Sequence, residues 1–179
     1  MSIYLVKNIF GQYRTIVPDN KTDADILNDA YGRELSQIWK TIKFHWDTEE
    51  GEGKRDLFLY LGSIPVIDER GKNVIKQVVD NVEFLPIDID GEDWFVANVC
   101  NTIEGILNLS KSSVDRFNDG SIKWITKFVF NKDTAPSSLF RIKELKTALF
   151  ALDSFKQAVS DASLLGLRFE ECKTRTSWF

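Results

Sequence analysis

The chain has 179 residues, of which 43% are hydrophobic, and a formal net charge of −4 at pH 7. This length suits one domain with a full hydrophobic core, so we expect a single domain over residues 1–179. The sequence has neither an apolar run long enough to span a membrane nor a leader-like N-terminus, which predicts a soluble, cytoplasmic protein with no membrane contact. An acidic balance without a block of Lys and Arg argues against nucleic acid as the partner and favours a basic protein.

The first third of the chain alternates predicted strands with polar segments. Residues 1–6 predict an initial strand, and the alternation of apolar and other side chains over residues 38–46 predicts another. Residues 17–33 carry turn and capping residues with few apolar anchors, which fits either a loop or a short helix. Residues 47–54, DTEEGEGK, predict an exposed acidic loop.

The middle of the chain predicts a helix followed by a β-hairpin. Asp68 is a helix-capping residue, and one apolar stripe follows it, formed by Val74, Ile75, Val78 and Val79. Residues 82–89 and 94–100 predict two strands, because the Asp90-Gly91 pair between them is a typical hairpin turn. Residues 122–130 alternate again and predict a further strand.

The C-terminal part predicts two strands, a helix and a last strand. Residues 148–152 form an apolar run of strand length, and Ser154 with Gln157 fits a capping box. Gly166 is expected to cap the helix at its C-terminus, before an alternating strand. The elements together predict an α+β fold, with a mixed, largely antiparallel sheet on which two main amphipathic helices pack. The order strand, Asp, helix, strand occurs at residues 64–85 as well, which fits either an internal duplication or a common module that occurs twice.

Catalytic and metal-binding patterns are weak in this sequence. His45 is the only histidine and lies within a predicted strand, so we interpret it as a structural or surface residue. Cys100 and Cys172 stand apart without CxxC spacing and are predicted to be buried free thiols. With no P-loop or GxGxxG motif, the residues favour a binding module without a cofactor. A hydrolase that acts through carboxylates and a scaffold that forms a homodimer stay open as alternatives.

Two long stretches of the chain resemble a known family. They are SIPVIDERGKNVIKQVVDNVEFLPIDIDGEDWFVANVCNTIEGIL and SLFRIKELKTALFALDSFKQAVSDASLLGLRFEEC. Their order is similar to that in bacterial polymorphic-toxin immunity proteins of immunity family eleven. The resemblance covers residues 56–172, a family-like core, and leaves residues 1–55 as a variable N-terminal part. It implies a small α+β protein that binds and neutralises a cognate secreted toxin without catalysis.

The resemblance supplies no site residues, so the toxin-binding surface is predicted from the chain itself. Two acidic segments each adjoin a tryptophan, a composition that is common at protein interfaces. The second segment lacks the spacing of a calcium-binding loop, since its glycine comes at position 4. The alternative for either segment is a plain solvated turn. The predicted toxin-binding residues are Trp46, Asp47, Glu49, Glu50, Glu52, Asp88, Asp90, Glu92, Asp93 and Trp94.

Overall fold

The computed structural model describes residues 2–11, 13–47, 53, 55–131 and 137–174. The strands are β1 (Ile3–Asn8), β2 (Ile16–Pro18), β3 (Ile42–Trp46), β4 (Leu57–Tyr60), β5 (Ile64–Ile67), β6 (Val82–Ile89), β7 (Glu92–Val99), β8 (Thr102–Ile103), β9 (Ser113–Arg116), β10 (Ile122–Lys127), β11 (Val129–Phe130), β12 (Leu139–Ile142), β13 (Leu145–Leu152), β14 (Leu167–Glu171) and β15 (Lys173–Thr174). The helices are α1 (Lys21–Ala24), α2 (Glu69–Val78) and α3 (Asp153–Asp161), with a 3-10 helix at Asp25–Asp29. Residues 17–33, for which the sequence fitted either a loop or a short helix, therefore contain a short helix.

The strands form two larger sheets, where the sequence predicted one. The six-stranded sheet has the order β2-β3-β6-β7-β5-β4, and the five-stranded sheet has the order β14-β1-β13-β12-β8. Two pairs of short strands, β9-β10 and β11-β15, lie outside them. Among the described residues the pairs β3-β6, β8-β12 and β11-β15 are parallel and the other pairs are antiparallel. The chain is thus α+β, with strands dominant.

The repeated order noted in the sequence extends to the strand arrangement. In the six-stranded sheet, α2 connects β5 to β6, and β7 lies between these two strands and is antiparallel to both. In the five-stranded sheet, α3 connects β13 to β14, and β1 lies between them in the same way. The hairpins β4-β5 and β12-β13 extend the correspondence by one strand. Both sheets therefore contain the same four-stranded unit, and β1 takes the place of β7 in the second.

The two longer helices begin differently from one another. The Asp68 carboxylate accepts a hydrogen bond from the Gly71 N–H at 2.7 Å, which confirms the predicted cap of α2. The predicted capping box of α3 is wrong, because Leu152 is the N-cap and no side chain caps the helix. Asp153 opens this helix instead, and its carboxylate accepts hydrogen bonds from the Ser2 N–H and the Tyr4 hydroxyl. A strand distant in sequence therefore sets the start of α3.

The end of α3 also differs from the prediction. Ser163, with φ of 53°, follows the helix, and the Leu164 N–H donates to the Val159 carbonyl in a Schellman-type end. Gly166 is needed for another reason. A Cβ at this position would lie 2.1 Å from the Leu57 carbonyl oxygen of β4, so only glycine allows the chain to pass so close to the other sheet.

One core cluster draws on both sheets and both helices. It includes Leu59 on β4, Ile75 on α2, Leu149 on β13 and Phe155 on α3, all at most 2% exposed. The segment of residues 20–39 covers the other face of the six-stranded sheet with Leu27, Ala30 and Leu35. Residues 103–130 cover the corresponding face of the five-stranded sheet. Each sheet thus has a helix on one face and an irregular segment on the other.

Two buried polar side chains connect the sheets. The Asn8 amide on β1 donates to the Leu59 carbonyl and accepts from the Leu59 N–H, both at 2.7 Å. Arg141 on β12 is fully buried and donates to the carbonyls of Ser63 and Lys146 at 3.0 and 2.8 Å. Its guanidinium also lies over the Tyr31 ring, 5.2 Å from the ring centroid. Burial lowers the pKa of Arg141 to about 10.

Candidate functional site

The structure brings Trp46 and Asp47, where the first acidic segment begins, beside the second acidic segment at one end of the six-stranded sheet. Because β3 and β6 are parallel neighbours, their C-terminal ends lie side by side. The Asp90 N–H donates to the Phe44 carbonyl at 3.0 Å, and the Asp90 carboxylate accepts from the Trp46 N–H at 3.1 Å. We name the surface formed by Trp46, Asp47, Asp88, Asp90, Glu92 and Asp93 the acidic edge.

The β6-β7 turn holds its carboxylates in fixed positions. Asp90 and Gly91 both have positive φ, as the predicted hairpin turn requires, and the Asp88 carboxylate accepts from the Gly91 N–H at 2.7 Å. Asp88 pairs with Asp93 across the hairpin, so two like charges lie opposite each other. Lys43 lies beside Asp88 in the register of β3 and β6 and offsets part of this repulsion, and a cation from a partner would offset more of it.

The two tryptophans of the prediction have different surroundings. Trp94 is only 5% exposed, and its ring lies 5.4 Å from that of Trp46 and 6.0 Å from that of Phe58. It is therefore part of the core beneath the acidic edge, and we do not expect it to contact a partner directly. Trp46 is half-buried and adjoins the carboxylates.

The remaining predicted residues follow β3 in the sequence. Asp47 is half-buried, and its N–H donates to the Thr15 carbonyl at 2.8 Å, which fixes the chain where it leaves β3. Glu49, Glu50 and Glu52 lie outside the described residues. Asp47 is thus the acidic residue of the first segment that the structure describes.

Basic groups also flank the acidic edge. Lys43 pairs with Asp88 in the parallel register of β3 and β6. His45 is exposed on β3, and its Nδ1 lies 2.7 Å from the Asp19 carboxylate. This contact fits the surface role predicted for His45. Within the described part of the chain, no three His, Cys, Asp or Glu side chains come close enough together to hold a metal ion.

Both cysteines are free, and both are half-buried rather than fully buried. Burial raises the pKa of Cys100 to about 11 and that of Cys172 to about 12. Both thiols are therefore protonated at neutral pH, whereas a nucleophilic cysteine reacts as the thiolate.

A third tryptophan, which was not among the predicted site residues, is far more exposed. Trp124 on β10 is 55% exposed, and Phe117 beyond the end of β9 is 53% exposed. No clear signal of this exposure is present in the sequence, because Trp124 alternates with Ile122, whereas the buried Ile125 alternates with Lys123 and Lys127. A period of two then places Trp124 on the opposite face from Ile125.

Comparison with known families assigns the chain to a class. The model of the Imm11 immunity protein family matches residues 7–174. The chain therefore belongs to this family, and the match includes most of the N-terminal part that the resemblance left out. No curated protein matches the chain. No helix in the described ranges is long and apolar enough to cross a membrane.

Proposed function

We propose that this protein binds a cognate secreted toxin and neutralises it, and so protects the cell that makes the toxin. Membership of the immunity family over residues 7–174 supports this role. The protein acts by binding alone, with no cofactor, and it covers the active site of the toxin or a surface beside it.

The acidic edge is the surface that we propose for contact with the toxin. The observation that carries this proposal is that Trp46 and Asp47 lie beside the carboxylates of the β6-β7 turn, distant in sequence, at one end of one sheet. Asp90, Glu92 and Asp93 are exposed there. Grouped carboxylates increase the rate of association with a basic partner and disfavour partners of the wrong charge.

The local structure supports tight binding as well as attraction. Asp88 and Asp90 each accept a backbone hydrogen bond, so their carboxylates lose little freedom when a partner binds. A basic side chain from the toxin would also relieve the repulsion between Asp88 and Asp93. We therefore expect a toxin that presents Lys or Arg to this edge.

The hydrolase alternative requires a pocket lined by several carboxylates with raised pKa values. The cleft of about 380 Å³ that the structure describes is lined by two, Glu170 and Glu171. The hydrogen bond from Lys7 lowers the pKa of Glu170, which is the wrong direction for an acid catalyst at neutral pH. These observations favour a binding protein.

The proposal is tested by co-expression with the toxin encoded beside this gene. The unmodified chain should restore growth and co-purify with the toxin. The double variant Glu92→Lys, Asp93→Lys should slow association by at least about tenfold at low salt and remove most of its salt dependence. Growth arrest by the toxin in the presence of the unmodified chain, together with the lack of a complex, would rule out the proposed function.

A matched control changes the same charge elsewhere. Glu104→Lys with Asp161→Lys reverses two exposed carboxylates, one beside the five-stranded sheet and one on α3. This variant should associate with the toxin at a rate within about twofold of that of the unmodified chain. It should also stay folded, because exposed ion pairs contribute little to stability. Equal slowing by both double variants would show that net charge matters and that the acidic edge does not.

A further inference from the structure

The five-stranded sheet is incompletely covered on the face opposite α3. The covering segment includes the hairpin of β9 and β10, which touches the sheet through the buried Ile125. Between β10 and strands β1, β13 and β14 lies a cleft of about 380 Å³. We name it the hairpin cleft. The corresponding face of the other sheet is covered by the segment of residues 20–39.

The floor of the hairpin cleft is apolar. Leu5, Leu145 and Ala148 line it and are only half-buried, while Phe128 and Leu149 beneath them are buried. Apolar groups left open on a sheet face gain favourable free energy when a partner removes them from water. The volume is within the range of pockets that accept a small ligand or a large side chain.

Trp124 stands at the mouth of the cleft. It lines the cleft, yet more than half of its surface is exposed. Tryptophan is the residue type most enriched among those that dominate binding energy at protein interfaces. Its few rotatable bonds also make it inexpensive to fix in a complex. Phe117 on the same hairpin provides a second exposed aromatic ring.

The charges around the cleft differ from those of the acidic edge. Three lysines, Lys7, Lys127 and Lys173, line the cleft with two glutamates. Lys7 forms an ion pair of 2.7 Å with Glu170. The hairpin adds Arg116 and Lys123 together with Asp115 and Asp119. Five basic and four acidic side chains give this face a net charge of +1, whereas the whole chain carries −4.

We infer that the hairpin cleft is a second binding surface, which receives an apolar side chain of the toxin from a segment that carries acidic residues beside it. The apolar floor favours an apolar side chain of the toxin, and Trp124 packs against that side chain. The lysines of the rim attract the toxin carboxylates beside it. The inference rests on the proposed function, because the toxin is the partner. Immunity would then use two surfaces of opposite charge, and a toxin would have to match both.

The test measures the affinity of the purified chain for an inactivated form of the toxin encoded beside it. Trp124→Ala should raise the Kd by at least about tenfold, since an exposed aromatic anchor is lost. Thr147→Trp places a large side chain in the cleft from the exposed position 147 on β13 and should weaken binding similarly. Lys123→Glu should weaken binding by repelling the acidic segment. The matched control is Ile38→Ala, which removes an apolar side chain that is 54% exposed on the segment over the other sheet, and it should change the Kd by less than about twofold.

The outcomes separate the two proposals. If the unmodified chain forms no complex, the proposed function and this inference both fail. If it forms a complex that Trp124→Ala and Thr147→Trp leave unchanged, only the cleft inference fails. If Lys123→Glu tightens binding, the acidic chemistry of the occupant is wrong. If Trp124→Ala instead converts a dimer of this chain to a monomer in sedimentation, a second copy occupies the cleft and the inference is overturned.

Discussion

The Asn8 side chain forms the two hydrogen bonds that the backbone of a neighbouring strand would form. It is 8% exposed, and its amide pairs with both backbone groups of Leu59 on β4, the last strand of the six-stranded sheet. An exposed strand edge is prone to pairing with other chains, and a carboxamide offers the donor and acceptor that satisfy it. Asn8 thereby closes this edge against β1.

Replacement of Asn8 by Ala should destabilise the protein. The Leu59 N–H, on a residue that is 2% exposed, would lose its partner, and the Leu59 carbonyl would keep the Gly62 N–H at 3.2 Å. An unsatisfied buried group costs about 1–3 kcal/mol, so we expect a loss of about 1–3 kcal/mol in the free energy of unfolding, measured with urea. Asn118→Ala, at an exposed position in the hairpin turn, should leave this free energy within about 0.5 kcal/mol. A comparable loss in both variants would contradict this role for Asn8.

At the scale of elements, a single carboxylate holds the segment that covers the six-stranded sheet. Glu83 on β6 accepts hydrogen bonds from the backbone N–H groups of Leu35 and Ser36, at 2.8 and 2.9 Å, and from the Asn98 amide. Burial acts to raise the pKa of Glu83, but these hydrogen bonds outweigh it, and the pKa is lowered. Leu35 is fully buried as a result of this anchoring.

The lowered pKa of Glu83 predicts a pH dependence. The unfolded chain takes up this proton more readily than the folded chain, so ionised Glu83 stabilises the fold above its usual pKa of 4.5. That contribution is lost as the pH falls below this value. Glu83→Gln should therefore be less stable than the unmodified chain at about pH 6, with the difference shrinking towards about pH 3 in urea titrations. A difference that does not change with pH would contradict the role of the charge.

The elements also show what could be predicted from the sequence. The cap at Asp68 and the Asp90-Gly91 turn depend on neighbours along the chain, and both predictions are confirmed. The predicted capping box of α3 was wrong, because Asp153 opens the helix and is bound by Ser2 and Tyr4, about 150 residues away. Trp94 was predicted at the surface, but both faces of β7 are covered in the fold. The alternation of residue types along a strand cannot show that both of its faces are covered. The division into two sheets depends on pairings such as β1 with β13 and β14, which no local pattern encodes.

For the whole molecule, we predict that the described sheets unfold together, as the single domain expected from the sequence. The core cluster that contains Leu59, Ile75, Leu149 and Phe155 joins both sheets and both helices, so neither sheet keeps its burial without the other. Urea unfolding followed by tryptophan fluorescence and by far-UV circular dichroism should give coincident transitions. Asn8→Ala should shift both midpoints equally. Two separated transitions would show independent units.

The position of β1 has a consequence for the order in which the protein forms during synthesis. The first four-stranded unit consists of β4, β5, β6 and β7, which leave the ribosome in succession and can pair at once. The second unit needs β1 between β13 and β14, which are synthesised long after it. Closing so long a loop is slow. An apolar strand of the nascent chain therefore stays without its sheet partners until β13 and β14 have emerged, and the second unit forms after the first.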